Sequence, residues 1–265
     1  MRFQITFNRT GKQKMLPMDY QYYISAWIYK VLKQADSKFA GFLHDKGYGD
    51  SPHKLYKLFC FSRLNFGKPT MWKERKLFEI KSNTLSLNVS FDVPEAATTF
   101  IKGLFMEQDF FLGNRFNGIE MKVTNIEALP EPQFTETMHY RLLSPWVVGF
   151  KPENAKQAQY LKPEDEGFLK LSEKHILEKY NNTHQAELTP DMISLKPLPP
   201  FKRSGFLIKP DTPQQTRVVG NIFDFELTAP EIVHQMLWNA GVSEKSTLGF
   251  GWVEIKNEKN FIYSK

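Results

Sequence analysis

Apolar and polar positions alternate from Arg2 to Phe7, the period of a strand with one buried face. After Leu16-Pro17 the period changes. Tyr23, Ala26, Trp27, Ile28, Val31 and Leu32 fall on one helical face, predicting a helix from Tyr20 to about Ala35 with Asp19 as its cap. Phe39 to His44 predicts a short further turn, ended by Gly47. Lys57 to Ser62 reads as a central strand, and Lys73 to Ile80 and Asn83 to Phe91 as two strands around a turn at Lys81-Ser82. Pro94 opens a helix at its favoured first position and carries it to about Met106, and Ile119 to Ala128 is a further strand. Leu129-Pro130-Glu131-Pro132 is the linker expected next. Beyond it, Met138 to Leu143 is strand-like and Pro163 to Tyr180 is a charged helix. Ile193 to Ile208 alternates, and Val218 to Leu227 sets Phe223 and Phe225 against Asp224 and Glu226. Pro230 to Asn239 is helical, and Trp252 to Ile255 is the last strand. Each half reads β-α-β-β-α-β, which predicts an α+β chain of two tandem ferredoxin-like (RRM-like) domains, residues 1–129 and 134–265.

The composition of the 265 residues, 41% hydrophobic and 24% charged, is that of an ordinary globular protein. No apolar run is long enough to cross a membrane, so no membrane partner is expected. Met1 to Phe7 is a strand pattern rather than a signal peptide. The single cysteine, Cys60, excludes an internal disulfide, and the cytoplasm is the expected compartment. The charge is unevenly spread. Residues 1–90 carry 16 Lys/Arg against 6 Asp/Glu, whereas residues 91–265 carry 19 against 23. A one-sided basic surface attracts polyanions, nucleic acid first among them.

Between the last helix and the last strand lies Gly241-Val242-Ser243-Glu244-Lys245-Ser246-Thr247-Leu248-Gly249-Phe250-Gly251. Glycines there permit positive φ and close approach, and successive N–H groups of such a loop can form a concave anion site. A helix C-cap at Gly241 with a tight bend at Gly249 and Gly251 explains the same residues without a ligand. It is neither a Walker loop nor a dinucleotide fingerprint, because the order is helix to strand. Of the six histidines, none forms a metal-ligand spacing, so neither metal nor cofactor is expected. His139 has no partner in sequence, His175 and His184 read as solvent-facing, and His234 as a packing residue. His44 differs: Phe42-Leu43 precedes it and Asp45-Lys46-Gly47-Tyr48-Gly49 follows. Tyr29 lies one helix earlier, and Lys46, His53, Lys54 and Lys57 lie just after. A histidine that titrates near neutrality, beside lysines, suits RNA cleavage through the 2′-hydroxyl. A histidine ending a helix also suits the dipole alone.

In their joint order these segments resemble the CRISPR-associated repeat-cleaving endoribonucleases, the Cas-six family of the RAMP superfamily. The matching stretches are Met1-Arg2-Phe3; Leu16-Pro17 followed by Tyr20 to Tyr29; Phe42 to Tyr48; Tyr56 to Leu64; Leu143 to Val148; and the glycine loop. The loop is similar to the family's paired-glycine signature, with Ser243 where a glycine is usual. The resemblance implies two ferredoxin-like domains facing across a cleft. It also implies metal-independent cleavage of precursor CRISPR RNA within the repeat, giving 2′,3′-cyclic phosphate and 5′-hydroxyl ends. His44 takes the catalytic position, as acid or as base, and Tyr29 the tyrosine position. Lys54 is the chosen lysine, with Lys46 and Lys57 as alternatives. Gly241, Lys245, Ser246, Gly249, Gly251 and Lys57 are expected to bind RNA. The implied partners are CRISPR repeat RNA and precursor CRISPR RNA, with an effector complex and a homodimer left open. Family members that cleave poorly often lack the histidine, so His44 favours an active enzyme. The competing readings are a non-catalytic RNA-binding subunit of an effector complex, and a generic RNA-recognition module.

Overall fold

The computed structural model describes residues 1–51, 54–152, 158–184, 187–209 and 212–256, with the side chains at 50, 51 and 54 left aside. In chain order the first half contains β1 (Arg2–Arg9), β2 (Met15–Pro17), α1 (Tyr20–Ala35), α2 (Ser37–Gly41), a single π turn (Phe42–Lys46), β3 (Tyr48–Ser51) and β4 (Lys54–Tyr56). Then come β5 (Phe59–Phe61), β6 (Thr70–Trp72), β7 (Leu77–Glu79), β8 (Thr84–Phe91), α3 (Pro94–Met106), β9 (Asp109–Gly113) and β10 (Gly118–Leu129). The second half contains β11 (Thr137–Leu142), β12 (Gly149–Phe150), β13 (Gln159–Tyr160), α4 (Phe168–His184), β14 (Ser194–Ile208), β15 (Thr216–Thr228), α5 (Glu231–Ala240) and β16 (Val253–Ile255).

The main sheets run β5-β8-β1-β10-β9 and β14-β15-β11-β16. Setting aside the extra edge strand β9, both have the strand order of a ferredoxin-like fold, as expected from the sequence. In the first, Ile5 stands between Ile126 and Leu87 in antiparallel register, and α1 and α3 cover that face. Trp27 of α1 stacks on Phe110 at 4.5 Å and meets Phe7 and Phe100 edge-on. In the second, Tyr140, Phe225 and Trp146 pack against α5 and α4.

Several sequence readings are corrected. The strand expected at Lys57 to Ser62 is only Phe59–Phe61 and lies at the sheet edge, paired with β8 alone. Lys73 to Ile80 is not one strand: a turn over 73–76 separates β6 from β7, and these join β2 in a sheet of their own. β9 was not anticipated, and α4 begins at Phe168 rather than Pro163. Pro230 is the N-cap of α5 rather than its first helical residue. Asp19 precedes α1 but makes no side-chain cap there; its carboxylate accepts the Leu207 N–H at 3.0 Å, from the other half of the chain.

That contact belongs to an extensive seam between the halves. Arg2, a polar position of the alternating first strand, is buried there. Its guanidinium donates to the carbonyls of Trp238 and Val253 and lies 3.3 Å and 4.0 Å from the Trp238 and Trp252 ring centroids. Buried cations persist only with such partners. Lys179 of α4, equally buried, donates to Ala240 O and Gly241 O at 3.0 and 2.8 Å, capping the carbonyl end of α5. Among the described residues no helix is long and apolar enough to cross a membrane.

Candidate active site

The π turn Phe42–Lys46 presents His44 to solvent. Leu43 anchors the turn in the first core, and the Gly47 N–H closes it on Phe42 O at 2.8 Å. Gly47 has φ +77°, and a Cβ there would meet Tyr56 O at 2.6 Å, so the position suits glycine. The His44 ring stands edge to face with Tyr29, centroids 5.1 Å apart, and Tyr29 rests in turn on Phe59 at 5.5 Å. The Tyr29 hydroxyl is pushed well above its ordinary pKa by burial, so it remains a proton donor at neutral pH. His44 Nδ1 lies 2.8 Å from Asp45 Oδ1. A carboxylate only accepts, so Nδ1 carries the hydrogen and Nε2 is left without one in the neutral ring. The sequence pattern alone assigns Asp45 no role, although a carboxylate adjoining a histidine is a signal for one.

Among the described side chains, the Lys57 amine reaches the turn. Its Nζ donates to His44 O at 2.7 Å, and partial burial lowers its pKa against the opposing pull of Asp45. Lys46 is exposed on the turn itself. The Lys54 side chain, and His53, fall outside the described residues. Lys57 also lines a cleft of about 270 Å³ shared with Ala240 and with residues 243–248 of the glycine loop, Glu244 and Lys245 among them. The structure therefore brings the histidine turn and the glycine loop to neighbouring positions, with Lys57 between them.

The loop's glycines serve the seam between the halves. A Cβ at Gly249 would meet the Phe61 ring at 2.6 Å, and one at Gly241 would meet Cys60 Sγ at 2.8 Å. Cys60 itself is buried, its thiol pushed up to about 12 and directed at Phe250 O. The N–H groups of residues 241, 242, 245, 248, 249 and 251 all have partners inside the protein. Ser246 is buried and donates its hydroxyl to Ser243 O at 2.6 Å. Ser243, standing where the resemblance expects glycine, accepts the Val147 N–H at 3.0 Å. Those N–H groups are therefore already engaged within the fold, and Lys245 is the exposed cation of the loop.

Of the remaining histidines, one keeps its sequence reading and another departs from it. His234 is buried as a packing residue, between Tyr140 Oη at 3.0 Å and Glu136 O at 3.1 Å. His184 is not simply solvent-facing. It stacks on Tyr180 and pairs with Asp92 of the first half at 3.4 Å. His175 lies beside Tyr56, their rings 6.0 Å apart, and His139 lies 3.6 Å from Glu226. Among the described residues no group of three or more His, Cys, Asp or Glu could hold a metal ion.

Residues 15–125 match the family model described as CRISPR-associated protein Cas6, N-terminal, and residues 129–255 match that of the Cas6 C-terminal region. The chain belongs to the Cas6 family of CRISPR-associated endoribonucleases. It is 26% identical over 271 residues to the CRISPR-associated endoribonuclease Cas6 of Pyrococcus furiosus, spanning 98% of this chain and 91% of that one. It is 24% identical over 261 residues to an endoribonuclease-like Cas6 protein of the same organism, spanning 98% and 100%. A solved RAMP protein, described as binding different RNA substrates, superposes with a TM-score of 0.79 at 22% identity, covering 97% of this chain and 100% of that one. That likeness shows the fold alone.

Proposed function

We propose that this Cas6 protein binds CRISPR repeat RNA and cleaves precursor CRISPR RNA within the repeat, without a metal ion. One observation carries the reading: His44 has Nδ1 committed to Asp45 and its ring edge-on to Tyr29, on a turn whose carbonyl holds the Lys57 amine. Nε2 is then the atom available to exchange a proton with RNA.

In this mechanism the ribose 2′-oxygen attacks the adjacent phosphorus and loses its proton, and the bond from phosphorus to the 5′-oxygen breaks. The departing oxygen gains a proton, leaving a 2′,3′-cyclic phosphate and a 5′-hydroxyl. Neutral His44 can take the first proton, and charged His44 can give the last. The protonated Tyr29 hydroxyl orients the reacting groups by donating, and a lysine, Lys54 or Lys57, balances charge on the phosphorane. Affinity comes from distributed phosphate contacts, with Lys57 and Lys245 on either side of the cleft supplying two of them. In this reading a CRISPR effector complex receives the product.

The likeness to an endoribonuclease-like Cas6 protein supports a second reading, repeat binding without cleavage. Incubation of the protein with repeat RNA and end-group analysis of the products separate the two. Cyclic-phosphate and 5′-hydroxyl ends support the enzyme, and tight binding with intact RNA supports the binder.

A further inference from the structure

The three-stranded sheet β2-β7-β6 stands outside the two main sheets, and β6 is one of its edges. Every residue from Met71 to Lys76 is exposed, including Met71 at 58% and Trp72 at 44%. The Trp72 ring is held in place. Its indole N–H donates to Glu79 at 3.3 Å, its cross-strand neighbour Leu77 is buried, and the Arg75 guanidinium lies 5.7 Å from its centroid.

Lys76 adopts φ +53°, a left-handed conformation that costs a non-glycine residue. The surroundings impose it: the Lys76 carbonyl accepts the Met18 N–H at 2.9 Å, and its own N–H is given to Lys73 O at 3.1 Å. The pinned lysine lines a second cleft of about 280 Å³, together with Arg63, Arg217 and Gln21. Gln21 Oε1 is buried and has no hydrogen-bond partner among the described residues.

We propose that β6 is a stacking platform for single-stranded RNA whose backbone runs through this second cleft, with a base lying on Trp72. The proposal rests on the RNA-binding reading above and adds a site to it. Two side chains are too small an apolar area for a stable protein interface. Their surroundings, Lys68, Lys73, Arg75 and Lys76 against Glu74 and Glu79, fit a polyanion with π faces.

The test is the binding of fluorescein-labelled repeat RNA with 2′-O-methyl sugars, which no 2′-hydroxyl attack can cut, across a salt titration. Trp72→Ala is expected to weaken binding about five- to thirtyfold at every salt concentration with the slope unchanged, and Trp72→Phe to restore most of it. Lys76→Gly removes the cation and relieves the backbone, so it should reduce the salt slope by about one ion. A Trp72→Ala protein that binds as wild type, while wild type shows steep salt dependence, overturns the platform and leaves the RNA-binding reading standing. Wild type that does not bind this RNA overturns both.

Discussion

The rings of Tyr29 and His44 stand edge to face, 5.1 Å between centroids and 79° between planes. A helix residue thereby fixes the orientation of a side chain carried on a short turn. Aromatic pairs favour this geometry, and it can be kept while the hydroxyl is removed. Tyr29→Phe is expected to leave folding and RNA affinity unchanged and to slow single-turnover cleavage on the order of a hundredfold, the usual loss for one donor to developing charge. Unchanged cleavage would reduce Tyr29 to a packing residue.

The glycine loop yields a prediction that separates packing from binding. Gly249→Ala places a Cβ against Phe61 in a left-handed backbone, so the cost should be about 1–3 kcal/mol of stability in urea unfolding. Lys245→Ala touches neither seam nor core. It should leave unfolding unchanged and reduce the salt dependence of repeat RNA binding by about one ion.

The pair His184–Asp92 links the halves and makes stability depend on pH. Hydrogen bonding to Asp92 raises the His184 pKa above its ordinary value, outweighing burial, which lowers it. A folded-state pKa above the unfolded one contributes stability that is fully present below about pH 6.5. It is lost as pH rises through the folded value. The difference in urea midpoint between wild type and His184→Gln should therefore shrink from pH 6 to pH 8. A constant difference would show that the pair does not couple to folding.

Local periodicity made both β-α-β-β-α-β orders legible, because each strand and helix carries its own apolar face. Non-local packing hid the rest. Phe59-Cys60-Phe61 reads as central because it is fully buried, yet it pairs on one side only. The burial of Cys60 comes from the glycine loop some 190 positions later. Asp19 carries a cap's chemistry, but a strand of the other half claims its carboxylate. In the candidate site, the nearness of Tyr29 to the His44 turn was legible from the order of the segments. Lys57's hold on the His44 carbonyl depends on how the chain returns after Tyr56, and the loop's inward-turned hydroxyls depend on a seam that sequence spacing does not describe.

Cleavage of repeat RNA in EDTA by wild type and by His44→Ala tests the central claim most directly. Wild type should cut the repeat and leave cyclic-phosphate ends with EDTA present. His44→Ala should bind with nearly unchanged affinity and cleave about 10²–10⁴-fold more slowly. Full activity in His44→Ala, or wild-type activity abolished by EDTA and restored by a divalent metal, would contradict the account.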